Sequence, residues 1–302
     1  MIKFIRERIA VKVALYVNLL LLIVLAAGST FIIIQQSKKL EKQLLEKGRV
    51  ESLVGAKMIG RVIEEAVDNG VFGVKEAFDT EYEQIPGFDP PKYHSKYDFY
   101  LDKSILGVED EFLKDESVLF AVAVDVNGYL PTHNTKYNAA PSNDKQKDLK
   151  DNRTKRIFND PVGIAAAQNK EFGFLQEYKR DTGEKAWDVS SPVFVKGRHW
   201  GAFRIGLSLE RINMEKNQII ISSIITMSII LLAAFLAVFF SVNRALKPIS
   251  EITDAASKLA DGNMEKKIKV DSIDEIGKLA DVLERLRFSL KAAMDRIARK
   301  SG

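Results

Sequence analysis

IIISSIITMSIILLAAFLAVFF, Ile219 to Phe240, runs for 22 residues without a charge. As a helix it spans roughly 33 Å against a hydrocarbon core of about 30 Å, so it is read as a transmembrane helix. VALYVNLLLLIVLAAGSTFIII, Val13 to Ile34, has the same length and the same lack of charge, and predicts a second span. Ala26, Ala27 and Gly28 also offer the small residues of a signal-peptide cleavage site. Against cleavage, the apolar run exceeds the roughly 7–15 residues that signal peptides use.

The two spans enclose 183 residues, Gln35 to Asn217, enough for a folded domain on the side opposite both termini. Lys3, Arg6, Arg8 and Lys12 precede the first span, and Lys38, Lys39, Lys42, Lys47 and Arg49 follow it. The local charge bias therefore does not fix the orientation. The length of 302 residues accommodates about two domains. A net charge of +4 with interspersed acids and bases argues against a nucleic-acid binder. With no cysteine, disulfides, thiolate metal sites and covalently attached haem are excluded, while an extracytoplasmic location is permitted.

Beyond the second span, Val242, Ala245, Ile249, Ile252, Ala256 and Leu259 recur at steps of three and four, which places one apolar seam on a helix. Pro248 lacks an N–H, so it is expected to start this helix or to kink it below the membrane. In ADGNMEKKIKVDS, Gly262 is a natural terminator, and Met264, Ile268 and Val270 are the apolar residues of a polar connector. Its thirteen residues reach about 43 Å when extended, enough to return along a first helix of roughly 25 Å and begin a second one parallel to it. SIDEIGKLADVLERLRFSLK then carries a second seam through Ile276, Leu279, Leu283, Leu286 and Leu290, continued by Ala293 and Ile297. A plain coiled coil would fit the seams alone.

Span, proline, glycine connector and the run Asp274, Glu275, Ile276, Gly277 together resemble the HAMP domain, the parallel four-helix dimeric relay of bacterial transmembrane receptors. The resemblance covers about 55 residues. It implies a HAMP domain at 242–297 in which Pro248, Gly262, Met264, Ile268, Asp274, Glu275, Ile276 and Leu283 act in the relay. HAMP domains are cytoplasmic in such receptors, so 1–12 and the tail 298–302 are expected inside and 35–217 outside.

Within that outer segment, Gln36 to about Asn69 is free of proline and compatible with a helix, with Asn69-Gly70 as its stop. Leu40, Leu44, Leu53, Val54, Val62, Ile63 and Ala66 drift around it, which suggests contact with more than one surface. VLFAVAVDVNGYLPTHN reads as a hairpin turning at Asn127-Gly128, with Pro131 near an edge. Asp148 to Asn169 is polar and then helical, and the segment from Phe174 to Glu210 supplies three more strands, broken at Asp181-Thr182-Gly183 and Lys196-Gly197.

This order of elements is similar to that of a PAS-like or Cache-type sensor domain. PPKYHSKYD, AVAVDVNGYLPTHN, DLKDNRTKRIFND, YKRDTGE and GRHWGAFRIG look like the extracytoplasmic domain of one group of methyl-accepting chemotaxis proteins, over about Pro90 to Leu209. The expected fold is an α+β membrane protein, with transmembrane helices at 13–34 and 219–240 flanking a PAS/Cache-like antiparallel-sheet domain at 35–217 that begins with a long helix. An all-α HAMP domain follows.

For the ligand, Arg153 and Arg156 lie three apart, on one face if NRTKRIF is helical, and Arg204 interrupts an apolar strand. They are candidates to hold a carboxylate or another small anion, with Tyr129, His133, Asn134, Trp187 and Asp188 orienting it. The competing reading pairs these arginines with nearby aspartates or turns them to water. His94, His133 and His199 are the only histidines and no two are four apart, so neither a metal site nor noncovalent haem is expected. No GxxxxGK[ST], GxSxG or HExxH occurs, so neither a cofactor nor an enzymatic activity is expected. RDTG at Arg180–Gly183 reads as a hairpin turn.

The sequence stops at Gly302, before the long signalling hairpin that receptors of the resembled group carry. The expectation is a homodimeric, multi-pass protein of the bacterial inner membrane, chemoreceptor-like, sensing a small molecule outside and relaying it through HAMP. The alternatives are a membrane-tethered protein that modulates complete receptors by HAMP pairing, or a truncated receptor without output. Another receptor or a separately encoded signalling chain would be the partner.

Overall fold

The computed structural model describes residues 9–142, 144–271 and 273–301. Lys3, Arg6 and Arg8 of the N-terminal segment, Ser272, Gly302 of the tail and the side chain of Ile297 lie outside what it describes. The chain forms two units, one of residues 33–221 and one of the chain up to 32 with 222 onward. In order, the elements are α1 (Ile9–Asp68), α2 (Val74–Ala77), β1 (Glu83–Ile85), β2 (Lys92–His94), α3 (Asp98–Ser104), α4 (Leu106–Phe112), β3 (Val118–Asp125) and β4 (Tyr129–Leu130). A 3₁₀ turn at Thr135–Tyr137 leads to α5 (Lys145–Asp151), β5 (Arg156–Ile157), α6 (Pro161–Gln168), β6 (Phe174–Lys179), β7 (Lys185–Val195) and β8 (Arg198–Ser208). α7 (Leu209–Ala260) and α8 (Glu275–Ser301) complete the chain.

The central sheet of residues 33–221 is antiparallel, in the order β3-β8-β7-β6. β7 and β8 turn at Lys196-Gly197, both at positive φ (50° and 77°), the primed-turn geometry that matches strand twist. That turn grips the end of α1: the Lys196 N–H donates to Glu64 and its ammonium lies 2.6 Å from Asp68. Strand alternation gives the sheet two faces. Val189, Val193, Phe203, Ile205 and Leu207 form one core with Ala56, Ile59, Ile63 and Ala66 of α1. The other face carries Phe120, Val122, Val124 and Ala202. α1 approaches closely because its contact face is small: a Cβ at Gly55 would sit 2.1 Å from the Phe203 ring, and one at Gly60 2.6 Å from the Phe194 carbonyl oxygen.

The hairpin expected at Asn127-Gly128 does not form. The chain turns there, with Gly128 at φ 77°, but β3 pairs with β8 whereas β4 pairs with β5 in a separate two-stranded sheet. Side chains have taken the hydrogen bonds a hairpin would use. The Asp125 carboxylate accepts from the N–H groups of Asn127 and Tyr129 at 2.9 Å each. On the free edge of β3, Ala121 N–H donates to Asn134 Oδ1 (3.0 Å) and Ala123 N–H to Glu109 Oε1 (2.9 Å), so the edge is closed without a strand.

α1 and α7, which each run from one unit into the other, are long and apolar enough to cross a membrane. Leu19, Leu20, Ile23, Phe31, Ile225, Ile229 and Leu232 stand exposed on them, as a lipid environment requires. Polar side chains in these stretches are satisfied by the preceding turn, as in Asn18 to the Ala14 carbonyl (2.8 Å) and Thr226 to that of Ser222 (2.8 Å). Pro248 neither starts nor ends a helix, contrary to one of the two expectations; it lies inside α7. Proline removes one ladder bond, and the bonds on either side continue the helix.

α7 ends where Gly262 takes φ 85°, with the Gly262 and Asn263 N–H groups bonded back to Leu259 and Lys258. Asp274 caps α8 by accepting from the Ile276 and Gly277 N–H groups (2.9 and 3.3 Å). Ile268 of the connector inserts against Ile252 and Ala280, flanked by Val270, Ile276 and Leu283. Glu284 holds the connector by accepting from Ile268 N–H (2.8 Å), and Arg287 bonds both Glu284 and the Met264 carbonyl. These bonds hold the Glu284 carboxyl well below its ordinary range, at about 2, with the Arg287 bond the largest cause. The second seam therefore splits. Ile276 and Leu283 face the connector, while Leu279, Leu286 and Leu290 remain exposed.

Candidate functional site

On the sheet face opposite α1, a cavity of about 30 Å³ is bounded by Phe120, Val122, Leu130, Phe158 and Tyr178 and by four basic side chains, His133, Arg153, Arg180 and Arg204. Each arrives by local logic. Arg204 stands on β8 directly across from Val122 and Ser190, on the face that alternation gives to even-numbered residues there. Tyr178, next to last in β6, is on the same face, and Arg180 follows it two residues on, at the Arg180–Glu184 turn. His133 lies between β4 and the 3₁₀ turn, its ring 4.7 Å from that of Tyr137.

Arg153 and Arg156 are not on a helix, because α5 stops at Asp151 and Lys155 between them adopts φ 59°. They converge all the same. Both guanidiniums lie over the Phe158 ring (4.9 and 5.0 Å) and face Asp181, Arg153 through a two-pronged bond at 2.9 and 3.1 Å. Arg204 meets Asp188 in the same forked way at 3.2–3.3 Å, and Arg180 pairs with Glu184. The arginines thus have acidic partners, as the competing sequence reading held, and three of the four also line the cavity.

The balance of buried charge is positive. Arg153, Arg156, Arg180 and Arg204 are 4–9% exposed, whereas of their acidic partners only Asp188 is buried; Asp181 and Glu184 are 38% and 45% exposed. Burial, and next the neighbouring Arg153, pulls Arg156 down to about 10. Burial, then Arg153, Arg180 and Arg156, holds the His133 imidazole well below its usual range, so it is neutral near pH 7. Burial pushes Tyr178 up to about 12. Two polar atoms at the cavity, Arg153 Nε and His133 Nδ1, are buried without a hydrogen-bond partner among the described residues. A buried orphan donor among excess guanidiniums is suited to an anionic oxygen. The volume admits one or two waters or a single ligand group. A larger ligand must displace the side chains that close the cavity.

Of the residues singled out from sequence, His133, Arg153 and Arg204 meet at this cavity, and Asp188 stands behind Arg204. Arg156 borders it through Phe158. Asn134 caps β3, and Tyr129 donates to Asp98 (3.1 Å) within the other core, so neither lines the cavity. Trp187 is on the α1 face, its indole donating to Glu177 at 2.7 Å, because adjacent strand residues point to opposite sides. Arg180, which the sequence places in a hairpin turn, lines the cavity as well; the two-residue step from Tyr178 to Arg180, which keeps both on one face, is the signal for it. Among the described residues no three His, Asp or Glu side chains group as a metal site requires.

The sequence profile of the family described as HAMP domain matches residues 240–292. An adenylate cyclase from Anabaena cylindrica is 24% identical over 126 residues, 41% of this chain and 25% of that protein. The chain thus matches about a quarter of the length of that curated relative. Among solved structures, the sensor domain of DcuS from E. coli is similar at 22% identity and a TM-score of 0.27, over 37% of this chain and 72% of that one.

Proposed function

We propose that this chain is a non-enzymatic transmembrane receptor of the chemotaxis-receptor type. Its sheet domain lies outside the bacterial inner membrane and binds a small anion, such as a carboxylate, through Arg153, Arg180 and Arg204. The observation that carries the reading is the cavity with excess buried guanidinium, one wall of which is β8. That strand ends at Ser208 and α7 begins at Leu209, so a ligand drawing on Arg204 acts five residues from the root of the helix that leads to the HAMP domain. The exposed Leu279, Leu286 and Leu290 support a parallel homodimer, because such a seam is stable in water only when covered. The same seam favours a second reading, in which the chain pairs with the HAMP helices of other receptors. Similarity to part of an adenylate cyclase supports an input module that different outputs can use.

The test is thermal stability of the full chain in nanodiscs with a panel of small carboxylates and their neutral amides. A true ligand at a hundredfold excess over Kd adds about 2.7 kcal/mol. Arg204→Ala alone would strand a buried Asp188, so the variant used is Arg204→Met with Asp188→Asn. Loss of the carboxylate effect in this variant and in Arg153→Gln is expected. Equal stabilisation of both variants and wild type would overturn the anion site.

A further inference from the structure

A second cavity, of about 270 Å³, opens elsewhere on the same domain, with Phe88, Pro90 and Pro141 in its wall and Lys92 lining it from β2. Lys92 is 6% exposed. Its Nζ donates to the neutral Asn152 Oδ1 and lies 5.3 Å from the centre of the Phe88 ring. Lys155, nearby, has two carboxylate partners, Asp98 at 3.0 Å and Asp102 at 3.5 Å. Lys92 makes no such pair among the described residues. The charges facing it are Arg156 of β5 and Lys155 just before it, opposed more weakly by Asp102 of α3 and Asp148 of α5. At the cavity mouth, Lys145 is already paired with Asp89 at 2.7 Å.

An ammonium this buried, bonded to a neutral amide and with Asp148 on the same cavity wall but outside ion-pair distance, gives up its proton readily beside two cations. Desolvation, then Arg156 and Lys155, pulls Lys92 down to about 8. Roughly a fifth of it is the neutral nucleophile at pH 7.4. The surroundings also select the electrophile. An imine with an aldehyde or ketone, less basic than the amine, would be neutral here and gain nothing from its neighbours, whereas a carbamate turns Lys92 from positive to negative and converts repulsion by Arg156 and Lys155 into attraction.

We propose that Lys92 is a carbon dioxide site. The neutral amine adds to the carbon of CO₂, a C–N bond forms as one C=O π pair moves onto oxygen, and one N–H proton passes to water. The product is Lys92–NH–COO⁻. The site is separate from the arginine-lined cavity, although Arg156 borders both, and the proposal does not rest on what that cavity binds.

The test uses the full chain in nanodiscs equilibrated with ¹³C-labelled CO₂ and bicarbonate, carbamates being trapped with a trialkyloxonium reagent and located by peptide mass spectrometry. Lys92 is expected to carry at least tenfold more adduct than the exposed Lys145 or Lys42. At fixed CO₂ and low occupancy the adduct falls about eightyfold between pH 7.5 and 6.5, because it needs the neutral amine and its formation also releases a proton. Lys92→Arg abolishes the adduct, and if that variant does not fold, the comparison of Lys92 with Lys145 in wild type decides alone. No adduct at Lys92, or labelling equal to that of the exposed lysines, overturns the proposal.

Discussion

Replacing Arg204 by methionine isolates Asp188. That carboxylate is fully buried, and Arg204 supplies three contacts at 3.2–3.3 Å. Breaking a buried pair by removing one partner costs about 3–5 kcal/mol, because the survivor keeps its desolvation penalty. Arg204→Met is therefore expected to lose about that much, and adding Asp188→Asn to restore most of it. The double-mutant cycle should give a coupling of at least about 3 kcal/mol. Near-ultraviolet circular dichroism or fluorescence reads this out selectively: the chain has two tryptophans, Trp187 and Trp200, both buried in the sheet domain. A pH series adds a signature. In Arg204→Met the folded Asp188 binds its proton more tightly than the unfolded chain does, so stability rises as pH falls through the raised folded pKa toward the ordinary value near about 3.9. A loss below about 1 kcal/mol, or additive single effects, would refute the buried pair as described.

The remaining expectations concern other contacts. His133 is held neutral, so the unfolded chain takes up a proton first as pH falls below about 6.5; stability drops from there, and His133→Gln should flatten this slope in pH-dependent denaturation. Gly60→Ala drives a Cβ to within 2.6 Å of the Phe194 carbonyl and should cost about 1–3 kcal/mol. Gly107→Ala, in α4 with open space around it, should be neutral or stabilise by up to about 1 kcal/mol in the same melt. In membranes, a cysteine replacing the exposed Leu286 should crosslink two chains, and Leu290→Glu should reduce the yield several-fold; a chain that stays monomeric removes the dimeric relay.

Elements with a local period could be read from the residues alone. The two uncharged runs mark the spans because backbone in lipid must satisfy itself within a helix. Gly262 and Asp274 mark where α7 stops and α8 starts, since a positive φ and a side-chain cap depend on those residues themselves. The β6, β7 and β8 segments follow from alternation between two turn signals. β4 did not, because the Asp125 carboxylate outcompeted the neighbouring strand for the Tyr129 N–H, a contest that nothing in the alternation reveals. Asn134 and Glu109 likewise closed the β3 edge from distant positions. At the site, the sequence made three arginines conspicuous but left their geometry open. Arg153 and Arg156 meet through Asp181 and Phe158 rather than along a helix, and Arg180 joins them from a turn. Trp187 and Asp188 are neighbours in sequence, and the pleat sends them to opposite faces of the sheet. Local steric rules act over a few residues and are written in the chain, but convergence of charge depends on which strands lie side by side. Only the tertiary structure decides that, because a strand's hydrogen bonds are made by partners as far away in sequence as Val118 and Leu207.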